Sequence, residues 1–88
     1  MKLKTTIYTL AIVQLHRPYK TEDDLQNTTP LLSFESLTPF GSFHVGDGVA
    51  ESGLTFLGRI QHIHHGIGDY GDEQILHHAT LYLHRDND

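Results

Sequence analysis

At 88 residues the chain is one domain, too short to bury more than roughly 60–65% of the surface its unfolded form exposes. A formal net charge of −5 and only six Lys and Arg, scattered from Lys2 to Arg85, argue against nucleic-acid binding, which needs clustered cations against phosphate. The lack of cysteine excludes disulfide staples and thiolate zinc sites, and points to a reducing, cytoplasmic setting.

Residues 2–15, KLKTTIYTLAIVQL, are rich in the β-branched and aromatic types that suit a pleated surface. Alternation places Leu3, Ile7, Ala11, Val13 and Leu15 on one face, and Tyr8, Leu10 and Ile12 on the other with Lys4, Thr6 and Gln14. The segment loosely imitates a signal peptide, but Thr5, Thr6, Thr9 and Gln14 dilute its apolar run and no small-residue cleavage site follows. It is also too short to span a bilayer, so no membrane association is expected. A long first strand is the reading, closed by Pro18, which cannot donate to a ladder.

Thr21 followed by Glu22, Asp23 and Asp24 has the chemistry of a helix start, with room for about one turn before Pro30. Residues 16–42 hold all three prolines and read as a long loop with a short strand near Leu31–Leu37. Phe43 to Val49 reads as a short strand running into a tight turn at Gly46-Asp47-Gly48. Leu54 to Ile67 and Glu73 to His84 form a β-hairpin joined through Gly66 to Asp72. The three-residue step from Ile60 to Ile63 predicts a bulge in its first strand. Beyond it, the polar tail Arg85 to Asp88 is expected to fray.

The expected fold is therefore all-β, or β-rich α+β, in a single domain over 1–88. It is a small antiparallel sheet, or an SH3-like or partly open barrel, of four to five strands carrying the long 16–42 loop.

Two motifs fail for want of context. Gly66-Ile67-Gly68-Asp69-Tyr70-Gly71 has the spacing G-x-G-x-x-G, but it leads into a strand, so no helix N-terminus is there to receive a pyrophosphate. His84-Arg85-Asp86 spells part of a kinase loop in a chain far too short for that fold. No serine lies in a nucleophile turn and no carboxylate pair can be assigned, so no enzyme is expected.

Histidine is the unusual feature: eight in the chain, six of them in the hairpin (His62, His64, His65, His77, His78 and His84). Residues two apart on a strand share a face, so His62 and His64 point together, across from the region of His77 and His78. Three imidazoles from His62, His64 and His78, with His44 as a further candidate, would suit zinc, copper or nickel. The competing reading is a half-exposed polar sheet face with no cofactor at all. A pH-sensing role through clustered imidazoles is a third.

Phe43-His44-Val45-Gly46-Asp47, then Gly58 to Ile63, then Ile75 to Leu83 resembles small β-rich proteins of phages and bacterial mobile elements, with a Val-Gly-Asp turn before a closing hairpin. The resemblance covers about the last half of the chain and implies an accessory protein that occupies a host protein or sequesters a small ligand. The leading expectation is a non-catalytic binding module that forms a homo-oligomer through its sheet edges. Its contact residues are sought in the loop, at Tyr19, Phe34 and Phe40 among the apolar members and at Glu22, Asp23 and Asp24, which favour a basic protein partner. Zinc held by the hairpin histidines is the alternative.

Overall fold

Five strands build one curled sheet that closes half a barrel: β1 (Thr5–Gln14), β2 (Leu32–Ser36), β3 (Gly48–Glu51), β4 (Thr55–Asp69) and β5 (Gln74–His84). The computed structural model describes residues 5–51, 55–69, 71 and 73–85. Leu3 and Lys4 of the expected first strand, Leu54, Tyr70 and Asp72 around the hairpin, and the tail residues Asp86 to Asp88 lie outside them. Helix among the described residues is limited to one 3-10 turn, Glu22–Leu25.

The strand order is β2-β1-β5-β4-β3. The hairpin pairs β4 with β5 antiparallel, and β2 and β3 pair antiparallel with β1 and β4. The all-β, partly open barrel of four to five strands expected from the sequence is what forms. It departs from an antiparallel sheet at its centre, where β1 and β5 run parallel over ten registered positions from Thr5↔Gln74 to Gln14↔Leu83. β2 occupies one edge of β1, which leaves the other edge for the last strand. A parallel pair needs a long crossover, and the chain between the two supplies it.

The bulge falls where the three-residue isoleucine step places it. The β4–β5 register shifts between Ile60 and His62, and this lets Ile60 and Ile63 both face the core. That core joins Leu10 and Ile12 of β1, Leu57 and Ile60 of β4, and Leu81 and Leu83 of β5, with Ile60, Leu81 and Leu83 fully buried. Phe40 and Phe43, from the connection between β2 and β3, and Val49 of β3 pack against it. Burying one such aliphatic side chain contributes about 1.5–3 kcal/mol.

The strand expected from Phe43 begins only at Gly48. Local hydrogen bonding explains the delay. The Asp47 carboxylate accepts the His44 N–H at 2.9 Å, and the Asp47 N–H donates to the His44 carbonyl at 3.0 Å, so His44 to Asp47 are committed to a turn. Gly46 takes φ +99° there and donates its N–H to the Ile60 carbonyl.

Candidate functional site

The sheet register assigns every hairpin histidine to a face. Antiparallel partners share a face, so His62 opposite Tyr82, His64 opposite Thr80, and His78 opposite Gly66 all lie on the side away from the core. The three histidines singled out by sequence are thus brought to one face, as alternation requires. They do not converge. The His62 ring touches both Tyr19 and Tyr82, with centroids at 4.9 and 5.8 Å. His78 is half-buried, and both of its ring nitrogens meet hydroxyls: Thr9 Oγ1 at 2.7 Å from Nδ1, and Thr80 Oγ1 at 2.9 Å from Nε2. A neutral imidazole has one N–H and one lone pair, so one threonine donates to the ring and the other accepts from it. Among the described residues, no three His, Asp or Glu side chains gather into a group able to hold a metal.

Thr9 owes its role to the parallel pairing of β1 with β5, which sets it beside His78 across 69 positions, whereas Thr80 reaches the same ring from two residues along β5. Thr80 is buried, so its hydroxyl needs this partner.

The long connection divides its named residues between packing and surface. Tyr19 lies on His62 and donates its hydroxyl to Glu22 at 3.3 Å. Partial burial first, and the Glu22 carboxylate second, push the Tyr19 phenol above its ordinary value. Asp24 closes the 3-10 turn, its carboxylate accepting the N–H groups of Lys20 at 2.8 Å and Thr21 at 3.0 Å and pairing with Arg17 at 2.9 Å. These contacts hold the Asp24 carboxyl below its ordinary value, the Thr21 N–H contributing most, then that of Lys20, against partial desolvation. Phe40 packs against the core. Glu22 and Asp23 are exposed. Asp23 and Asp24 line an open hollow of about 670 Å³ whose wall also includes Arg17, Thr28 and Leu31.

Phe34 has a different fate. It sits on the edge strand β2, 46% exposed, between Leu31 at 50% and Leu37 at 71%. Among the described strands β2 pairs with β1 alone, so its outer backbone edge is open. Glu35 and Ser33 point to the opposite face from Phe34 and line a shallow hollow with Thr9, Ala11 and His78.

The core side of the sheet carries a second histidine arrangement. His65 lies opposite Ala79, and His77 lies opposite Ile67, one diagonal step away. His77 Nε2 and His65 Nδ1 are 3.4 Å apart, and the Tyr8 ring lies beside His77 at a centroid distance of 5.6 Å. Together with Pro39, Phe40 and Phe43 these three residues line a small apolar slot of about 70 Å³. No described helix is long and apolar enough to cross a membrane. The G-x-G spacing at Gly66 and Gly68 lies inside β4, without the helix a pyrophosphate site requires.

No protein-family model, curated protein or solved structure matches the chain.

Proposed function

We propose that the chain is a non-catalytic binding module that takes an extended protein segment along the open edge of β2. The observation carrying this reading is the coincidence of an unpaired edge strand with three exposed large apolar side chains, Leu31, Phe34 and Leu37, within seven residues. Strand addition draws affinity from main-chain hydrogen bonds and specificity from alternate side chains. Of the usual guards against such pairing, β2 has a short span and one charge, Glu35, but neither lysine nor proline.

Size supports the same reading. The chain exposes 6394 Å², whereas a compact monomer of 10.0 kDa exposes about 5,200 Å². Its radius of gyration is 14.5 Å against about 12 Å for a compact domain of this length. Partner binding is the economical way to cover such a surplus. Leu31 shares its hollow with the exposed Asp23, so the segment that fits is apolar with a basic residue near one end. An accessory protein that works by occupying a larger one, as in phages and mobile elements, needs no chemistry beyond this edge.

The test is light scattering on untagged protein, joined to amide-exchange mapping with a panel of apolar peptides carrying a terminal lysine. Protection of the β2 amides, lost in Phe34→Lys and Leu37→Lys, supports the reading. A dimer dissolved by the same substitutions identifies the partner as a second copy. Binding or dimerisation indifferent to both substitutions overturns it.

A further inference from the structure

The His65–His77 pair is separate from the proposed binding edge and from the histidines on the opposite face. Two zinc–imidazole bonds of about 2.05 Å at a tetrahedral angle set their nitrogens about 3.3 Å apart. The observed separation of 3.4 Å matches that bite and is long for a hydrogen bond between ring nitrogens, whose usual value is about 2.9–3.0 Å. The two rings are not parallel stacked; their planes are inclined by 40° with centroids 5.6 Å apart, so they meet through the facing nitrogens, His65 Nδ1 and His77 Nε2.

Access and rigidity also fit. His65 is exposed and His77 half-buried, so an ion reaches the pair from solvent without opening the fold. Both imidazoles stand on registered strands rather than on loops: β4 positions His65 through its pairing with Ala79, and β5 positions His77 between Tyr8 on β1 and Ile67 on β4. Chelation by a fixed pair avoids the ordering cost that mobile ligands incur. Tyr8 lies against His77 on one side, and water from solvent fills the coordination positions that the two imidazoles leave.

We infer that His65 and His77 form a two-imidazole chelate for a tetrahedral divalent transition metal, with Zn(II) the best fit to the bite. Imidazole ligands suit Zn, Cu and Ni alike, but the wider nitrogen separation favours tetrahedral over octahedral geometry, in which the same bonds set adjacent nitrogens about 2.9–3.0 Å apart.

Zn(II) titrated by calorimetry into untagged protein near about pH 7.5 tests this directly. One equivalent binds per chain, with amide perturbations centred on Gly66 and Leu76 to His78. His65→Gln and His77→Gln each weaken binding by about tenfold or more, since a single remaining imidazole loses the chelate's effective concentration. His62→Gln and His64→Gln leave it unchanged. Because His65 and His77 lie at the surface of paired strands, circular dichroism of the variants stays that of the parent. Binding that survives the His65→Gln/His77→Gln double variant, or that disappears with His62→Gln or His64→Gln instead, overturns the assignment.

Discussion

Tyr19 lies on His62 at a ring-centroid distance of 4.9 Å, and this contact fastens the first long connection to the outer face of the sheet. Tyr82, its ring tilted 48° to that of His62 at 5.8 Å, extends the arrangement to three rings across the connection, β4 and β5.

Replacing Tyr19 with alanine removes that fastening. The expected loss of stability is about 0.5–1.5 kcal/mol beyond the area term. The clearer readout is local, with faster proteolysis within residues 16–30 while β4 and β5 amides keep their protection. Tyr19→Phe retains the ring and loses only the bond to Glu22, so it stays close to the parent in the same assay.

Acid loosens the same segment. The Asp24 carboxyl is held below its ordinary value, so the folded state binds its proton less readily than the unfolded chain does. The stabilisation from Asp24 is therefore complete above the ordinary value of 3.8 and is lost as pH falls through the lowered one. Amide shifts of Lys20 and Thr21 followed below about pH 4 should move together in the parent. In Asp24→Asn that joint transition disappears.

Thr80→Val is a near-isosteric change that strips His78 of one hydroxyl partner in a buried setting. An unmet polar group of this kind costs about 1–3 kcal/mol, read as a lower midpoint in denaturant with an unchanged slope. Thr9→Val strips the other ring nitrogen in turn. The double variant costs less than the sum of the singles, because the two hydroxyls share one ring.

Gly58 is the glycine least open to substitution. It takes φ +138°, and a Cβ placed there would lie 2.8 Å from the backbone carbonyl carbon and oxygen of His84. Gly58→Ala should therefore cost upwards of about 1–3 kcal/mol through backbone strain, with the clash adding to it. At Gly66 a Cβ meets nothing within 4 Å, so Gly66→Ala is a matched control whose thermal midpoint stays near the parent's.

Much of the fold was readable in the residues themselves. Alternation in IYTLAIVQ marked the first strand and its two apolar sides; Leu10 and Ile12 do enter the core, while Ala11 and Val13 are buried on the other face. The hairpin, the bulge after Ile60 and the turn at Gly46-Asp47 were legible because each rests on interactions between near neighbours. The parallel union of β1 and β5 was not, since nothing local distinguishes a strand that pairs with its neighbour from one that waits for a partner far along the chain. The histidine pairing failed for a local reason, the turn lying further along the chain than its glycines suggested. The hairpin strands continue to Asp69 and Gln74, and that register sets Ile67 opposite His77 and leaves His65 as its diagonal neighbour. Among the loop residues, composition named Tyr19, Phe34 and Phe40 alike; only the packing separates the two that are covered from the one left open.

The central position of the parallel pair has a kinetic meaning. Of the described strands β1 is synthesised first and β5 last, yet they are neighbours in the middle of the sheet. The hairpin of β4 and β5 closes within its own stretch of chain, whereas β1 has no permanent neighbour on its inner edge until that hairpin arrives. Pairings of such wide sequence separation are slow to form. During that interval the strand carrying Leu10, Ile12 and Val13 is an unfinished surface, and a nascent chain halted before Gln74 would keep it so.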